Sequence, residues 1–164
     1  MIRYARFTSP LGTLLATAAD GALTSLNFVD AKYTPAIGGD WVEDPASSPL
    51  KECERQLQEF FAGERGAFDL PLAPEGTPFQ KRVWREIARI AFGETITYAQ
   101  LAQRAGAAGS ARAAGSATGR NPIAIVIPCH RIVGSNGNLT GYAGGLERKT
   151  KLLEIEGVLQ GSLV

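Results

Sequence analysis

Apolar and polar positions partly alternate over residues 4–8, 12–17 and 22–28, three short stretches separated by Ser9-Pro10 and Asp20-Gly21. Successive side chains of a strand face opposite sides, so this pattern, punctuated by turn-forming pairs, predicts an antiparallel meander. Residues 30–49 carry Pro35, Gly38-Gly39, Pro45 and Pro49 without a period and read as an irregular loop. From about Ser48 the period becomes helical. Leu50, Cys53, Leu57 and Phe60-Phe61 form one apolar face that ends at Gly63. Cys53 lies on that face and reads as a small buried core residue.

The proline-rich stretch from Leu70 to Gly76 has no period and reads as a linker, dividing the chain into lobes 1–74 and 75–164. After it, Thr77 can cap a helix with Pro78 at its first position, and Phe79, Val83, Trp84, Ile87 and Ile90-Ala91 supply a buried stripe up to Gly93. Tyr98 to Ala105 predicts a second short helix, Gly106 to Gly109 a turn, and Ser110 the cap of a third helix reaching about Gly119. This is the outline of a helix-turn-helix. Ile123 to Ile127 is a continuous apolar run and predicts a buried strand. A last helix, Leu146 to Glu156 with Gly157 as its C-cap, groups Leu146, Leu153 and Glu156 by heptad spacing on a buried side. The expected fold class is α+β: an N-terminal antiparallel sheet with one helix, then a mostly helical lobe.

Composition changes this picture little. With 164 residues, 45% hydrophobic and 20% charged, the chain is expected to fold as an ordinary globular protein. No secretory apolar core follows Met1, and no run of about 18 apolar residues occurs, so cytoplasmic residence without membrane contact is the default. Two cysteines and a single histidine leave no disulfide framework or structural zinc set, and no metal or other cofactor is expected.

Charge changes it more. The net charge of +1 hides −5 over residues 1–76 and +6 over residues 77–164. No acid lies between Glu94 and Glu147, an interval that holds Arg104, Arg112, Arg120 and Arg131. An acid-free surface with spaced arginines suits a polyanion. A neutral glycine-rich stretch with solvated arginines would read the same way. Between Ala107 and Gly119 every side chain except Arg112 is Ala, Gly, Ser or Thr. Such a helix can press its backbone against DNA while one cation enters the base stack, or it can pack inside the protein with Arg112 in solvent.

The candidate chemistry is Pro128-Cys129-His130-Arg131-Ile132. A nucleophilic cysteine must be a thiolate, and imidazole and cationic neighbours favour that form. Adjacent strand residues face opposite sides, so a Cys129–His130 contact would need help, for instance a bridging water. Glu156 on a buried helix side needs a partner, and His130 is a candidate. The loop from Gly134 to Gly145 is rich enough in glycine to wrap a ligand, although it lacks phosphate-loop spacing.

Pro128 to Ile132, preceded by Arg120-Asn121-Pro122 and followed by Tyr142-Ala143-Gly144-Gly145, resembles the active-site signature of the O6-alkylguanine-DNA alkyltransferases, and the resemblance runs from about Thr77 to Val158. It implies a ribonuclease H-like first lobe and a DNA-binding second one. Cys129 would be the alkyl acceptor, His130 a base acting through water, and Glu156 the carboxylate that orients it. Tyr98 would assist nucleotide flipping and hydrogen bond guanine N3, while Asn121 would tie the recognition helix to the active-site segment. Arg112 would enter the duplex through the minor groove, with Ala111, Ala113 and Gly115 as small DNA-facing neighbours and Arg120 and Arg131 as further DNA contacts. Ile132, Tyr142, Ala143 and Gly144 would line the base pocket, the Ala143 N–H meeting O6. Some relatives have Ser at position 143 and a larger apolar residue at 118, where this chain has Ala143 and Thr118. The N-terminal lobe lacks the residues of the zinc site that some members carry.

The implied partner is double-stranded DNA bearing O6-alkylguanine, acted on by a monomer that is consumed in one transfer. Two other functions share part of the pattern. A Cys-His-Glu hydrolase would use the same relay but leaves the acid-free stretch unexplained, and a non-catalytic lesion-sensing module would lack the acceptor cysteine.

Overall fold

The computed structural model describes residues 1–159. The fold is α+β, with two compact units: residues 1–75 together with 122–124, and residues 76–121 together with 125–159.

In the first unit, β1 (Arg3–Phe7), β2 (Leu14–Ala19) and β3 (Ala22–Phe28) form the expected antiparallel meander, with Arg3 opposite Ala18 and Leu14 opposite Phe28. Strict alternation fails in β2, where Leu14 to Ala18 are all buried. A register shift between Thr17 and Ala18 marks an irregularity in the ladder with β3. A fourth strand, β4 (Val42–Glu43), lies parallel to β1 at the sheet edge inside the segment expected to be loop. Two residues in a Pro/Gly-rich stretch carry no period. What holds them is backbone pairing, Val42 N–H to Ile2 O and Asp44 N–H to Tyr4 O (both 2.9 Å), together with the Arg3–Asp44 ion pair. Helix α1 (Ser48–Phe61) buries Leu50, Cys53, Leu57 and Phe60 as its spacing predicts. Gln56 shares that face because it meets both backbone groups of Asp69 at 2.9 Å.

The first unit also takes a short piece from late in the chain, which a simple 1–74/75–164 division does not contain. Leu26 donates its N–H to Pro122 O and accepts from Ala124 N–H, both at 2.8 Å.

In the second unit, α2 (Pro78–Ala88) and α3 (Tyr98–Arg104) each open with a reciprocal cap, Thr77 with Gln80 and Thr97 with Gln100. Helix α4 (Ala111–Gly119) follows a turn in which Gly106 and Gly109 take positive φ. It buries Ala114, Ala117 and Thr118, and Trp84 of α2 donates its Nε1–H to Ala117 O at 2.8 Å. Gly76 lies so close to this tryptophan that a Cβ there would come within 2.5 Å of the indole ring. Strands β5 (Ile96–Thr97) and β6 (Ile132–Val133) pair in parallel. Helix α5 (Leu146–Ile155) closes the unit, with Glu156 at its C-cap and Gly157 at φ 77°. Among the described residues no helix is long and apolar enough to cross a membrane.

Candidate active site

The run Ile123 to Ile127 does not continue as a strand. Ile123 makes one bridge to Leu26, and Ile125 then adopts φ 71°, a conformation strained for a β-branched residue. Pro128, at φ −81° and ψ 66°, forms an inverse γ-turn in which Cys129 N–H reaches Ile127 O at 2.7 Å. The same carbonyl accepts Asn121 Nδ2–H, also at 2.7 Å. Asn121 follows directly on the last turn of α4, so one side chain fixes the end of that helix to the turn before the cysteine. Cys129 to Arg131 then form a short 3₁₀ helix. The opposed faces expected of a strand therefore do not apply to Cys129 and His130.

His130 and Glu156 are buried and joined, His130 Nε2 lying 2.6 Å from Glu156 Oε2. Burial pushes the Glu156 carboxyl upward. Hydrogen bonds from His130 and Arg131 outweigh it and bring the group to about 2. As a carboxylate it can only accept, so Nε2 carries the imidazole proton and Nδ1 is left as a lone-pair acceptor. Burial also holds the His130 pKa below its ordinary value, against the pull of Glu156. The imidazole is therefore neutral. Its Nδ1 and the Tyr142 hydroxyl are the buried side-chain polar atoms without a protein partner among the described residues.

The sequence suggested that neighbouring groups lower the Cys129 pKa. They do pull downward, through an Asn121 side-chain hydrogen bond and the Lys149 charge, but burial is the larger effect and the thiol lies above its ordinary value. A resting thiol here needs a base to become a thiolate.

Arg131 is not a surface residue. It is 4% exposed, and its guanidinium forks onto Glu156, with Nε 2.8 Å from Oε1 and Nη2 2.9 Å from Oε2. Nη1 meets Ile90 O at 2.5 Å. An expected DNA contact is instead the buried countercharge of the relay carboxylate. Gly93 completes that arrangement, donating its N–H to Glu156 Oε1 at 3.0 Å from a backbone with φ 83°.

Two family models match this chain: the 6-O-methylguanine DNA methyltransferase DNA-binding domain over residues 78–158, and the ribonuclease-like domain of the same proteins over residues 2–74. A methylated-DNA-protein-cysteine methyltransferase of Methanosarcina acetivorans is 47% identical over 94% of this chain and 97% of its own. The chain belongs to the 6-O-methylguanine DNA methyltransferase family. A Mycolicibacterium paratuberculosis protein of the same name is also 47% identical, over 95% of this chain and 93% of its own. Among solved structures, Mycobacterium tuberculosis O6-methylguanine methyltransferase superposes with TM-score 0.87 at 42% identity, covering 99% of this chain and 98% of its own. A complex of M. tuberculosis OGT with DNA gives TM-score 0.85 at 43% identity over 94% and 92% of the two chains.

In this family member the other site residues predicted from sequence lie as follows. Tyr98 opens α3, and the β5–β6 pairing brings that helix start beside the strand that leaves the Cys129 turn. Its hydroxyl donates to Thr140 O at 3.1 Å, and its ring lies against Gly115 of α4. Gly115 therefore faces Tyr98, whereas Arg112 and Ala113 are exposed and Ala111 is half-buried. Arg120 is exposed and Ile132 buried. Tyr142, Ala143 and Gly144 are half-buried, with Arg148 Nη1 donating to Gly144 O at 3.2 Å. Thr118 spends its hydroxyl within α4, on Ala114 O at 2.7 Å.

Lys149 is the residue the sequence reading missed. It is 0% exposed, and its Nζ donates to Ile132 O (2.6 Å), Thr140 O (2.8 Å) and Gly141 O (3.2 Å). Leu146, placed by heptad spacing on the buried side, is 48% exposed instead. The inner stripe of α5 is Lys149, Leu152 and Leu153, continued by Glu156. Counting back seven from Glu156 rather than from Leu153 would have found the lysine.

Proposed function

We propose that this chain reverses guanine alkylation in double-stranded DNA by transferring the alkyl group from O6 to Cys129, once per molecule. One observation carries the reading: a buried cysteine stands next to a neutral imidazole that is locked by a carboxylate and keeps a free lone pair. The family's name for the reaction, and the DNA complex of a relative, supply the substrate class.

In this account Arg112, exposed on the small-residue helix of a helix-turn-helix, enters the minor groove and fills the space of the flipped nucleotide. Flipping costs a few kcal/mol and is easier for a poorly paired O6-alkylguanine. Cys129 loses its proton towards His130 Nδ1, directly or through water, and the imidazolium is stabilised by Glu156. The thiolate attacks the alkyl carbon. A sulfur–carbon bond forms, the carbon–O6 bond breaks, and its electron pair goes to the guanine, which takes up the proton released by the thiol. Tyr98 O–H at guanine N3 and Ala143 N–H at O6 stabilise that charge as it develops. A thioether is not hydrolysed, so no later step regenerates the thiol.

Methyl transfer from a duplex carrying labelled O6-methylguanine tests the reading. Cys129→Ala is expected to abolish transfer while binding the duplex as the wild type does. Continued transfer by Cys129→Ala contradicts the assignment.

A further inference from the structure

The loop from Gly134 to Gly145 must present Tyr142, Ala143 and Gly144 in a fixed shape, yet none of its residues lies in a helix or strand, and most are exposed. Besides Arg148 on Gly144 O, side chains from the rest of the second unit meet two consecutive carbonyls of this loop. Thr140 O accepts both Tyr98 O–H and Lys149 Nζ, and Gly141 O accepts Lys149 Nζ as well. The third carbonyl on the ammonium belongs to Ile132, directly after the Cys129–Arg131 helix. One buried side chain thus spans the acceptor turn and the loop. Its own helix is held by Leu152 and Leu153 in the core.

If Tyr98 turns its hydroxyl to a guanine, Thr140 O loses one of its two donors. The ammonium then remains the tie on both loop carbonyls. We infer that Lys149 is a positioning residue for the transfer: it holds Thr140 and Gly141 to the acceptor turn while Tyr98 exchanges the loop for the base, and keeps a positive charge near the attacking sulfur. This inference rests on the alkyl-transfer reading above.

The surroundings fit that role. Burial depresses the Lys149 pKa to about 8, so the side chain is still mainly an ammonium at neutral pH. Tyr98 and Tyr142 are the other titratable groups coupled to the Cys129 charge, both held above the ordinary tyrosine value by burial. His130, Arg131 and Glu156 form the adjoining relay, in which the imidazole is neutral and the ion pair is internally balanced. Lys149 therefore contributes the unbalanced cation that the thiolate meets.

The test uses full-length Lys149→Met and Lys149→Gln, the second retaining a donor without the charge. Three readings are taken: duplex affinity, the single-turnover methyl-transfer rate constant at saturating protein, and the pH profile of Cys129 alkylation by iodoacetamide. The inference expects duplex affinity within about twofold of wild type, a transfer rate constant lower by about tenfold or more, and an alkylation profile displaced to higher pH. Folded variants with wild-type transfer and an undisplaced profile overturn it, as does a loss confined to duplex affinity. If neither variant folds, hydrogen exchange at Gly145, whose N–H is bonded to Tyr142 O at 2.9 Å, decides instead in Tyr98→Phe. Protection there should persist because Lys149 still holds the loop, and loss of protection overturns the inference. Absence of transfer by the wild type would instead refute the parent reading.

Discussion

At the scale of single residues, Glu156 binds the most together. Its carboxylate serves His130, Arg131 and the Gly93 N–H at once, and each partner lowers its pKa. A carboxyl depressed from 4.5 to about 2 stabilises the fold fully above its unfolded value and loses that contribution as pH falls towards 2, on the order of 3 kcal/mol. His130 acts in the same direction. Its folded pKa lies below 6.5, so the unfolded chain binds the proton more readily and stability begins to fall once pH drops below that value. Urea unfolding across pH should show stability declining from about 6.5 and steepening below about 4.5. Glu156→Gln should lose the steep part and unfold about 3–5 kcal/mol more easily at neutral pH, because it leaves Arg131 buried without its countercharge. The transfer rate has its own pH signature. A depressed imidazole remains a base as pH falls through 6.5, so single-turnover transfer should not halve at that pH as it would with an unperturbed histidine.

At the scale of elements, α4 packs one face inside the protein and leaves Arg112 in solvent, the second of the two readings that its composition left open. Ala114, Ala117 and Thr118 pack inward against α2, and Arg112, Ala113 and Ser116 face out. Arg112→Ala is therefore expected to leave thermal unfolding within about 0.5 kcal/mol of wild type while slowing transfer from duplex DNA by about tenfold or more, with a smaller effect on a mismatched lesion that flips easily. Trp84→Phe should do the reverse, costing about 1–2 kcal/mol through the lost bond to Ala117 O and leaving the lesion dependence unchanged. Urea unfolding and paired single-turnover assays separate the two. The same elements explain what the sequence disclosed. Helices α1 to α4 were legible because apolar spacing and caps such as Thr77 and Thr97 are local signals. The Ile123–Ile127 run was misread because a β-branched apolar stretch predicts a strand, while the deciding facts, the Asn121 bond to Ile127 O and the positive φ of Ile125, come from tertiary structure. Arg131 and Lys149 were misplaced or missed for a related reason. Charged side chains default to solvent, and only their buried carboxylate and carbonyl partners bring them inside. The His130–Glu156 pairing was legible because a lone buried carboxylate demands a partner and the chain offers a single histidine.

At the scale of the whole molecule, the charge division between the two halves of the sequence sets how it should meet DNA. A net charge of +6 beyond residue 76 and the acid-free interval around Arg112 and Arg120 make association electrostatic in large part. Raising salt from about 50 to about 200 mM should weaken binding to undamaged duplex by about tenfold or more, a loss that electrophoretic or anisotropy titration would measure. An affinity insensitive to salt would contradict a phosphate-facing role for this surface.

The central claim is that Cys129 is a reagent consumed by its substrate. The most direct measurement is the intact mass of the protein, with peptide mapping, after incubation with excess duplex containing O6-methylguanine. The account predicts a gain of one methyl group per chain, located on Cys129, with unmodified guanine restored in equal amount and no further repair on adding more substrate. Repair exceeding one lesion per chain, or a methyl group found on any other residue, would contradict it.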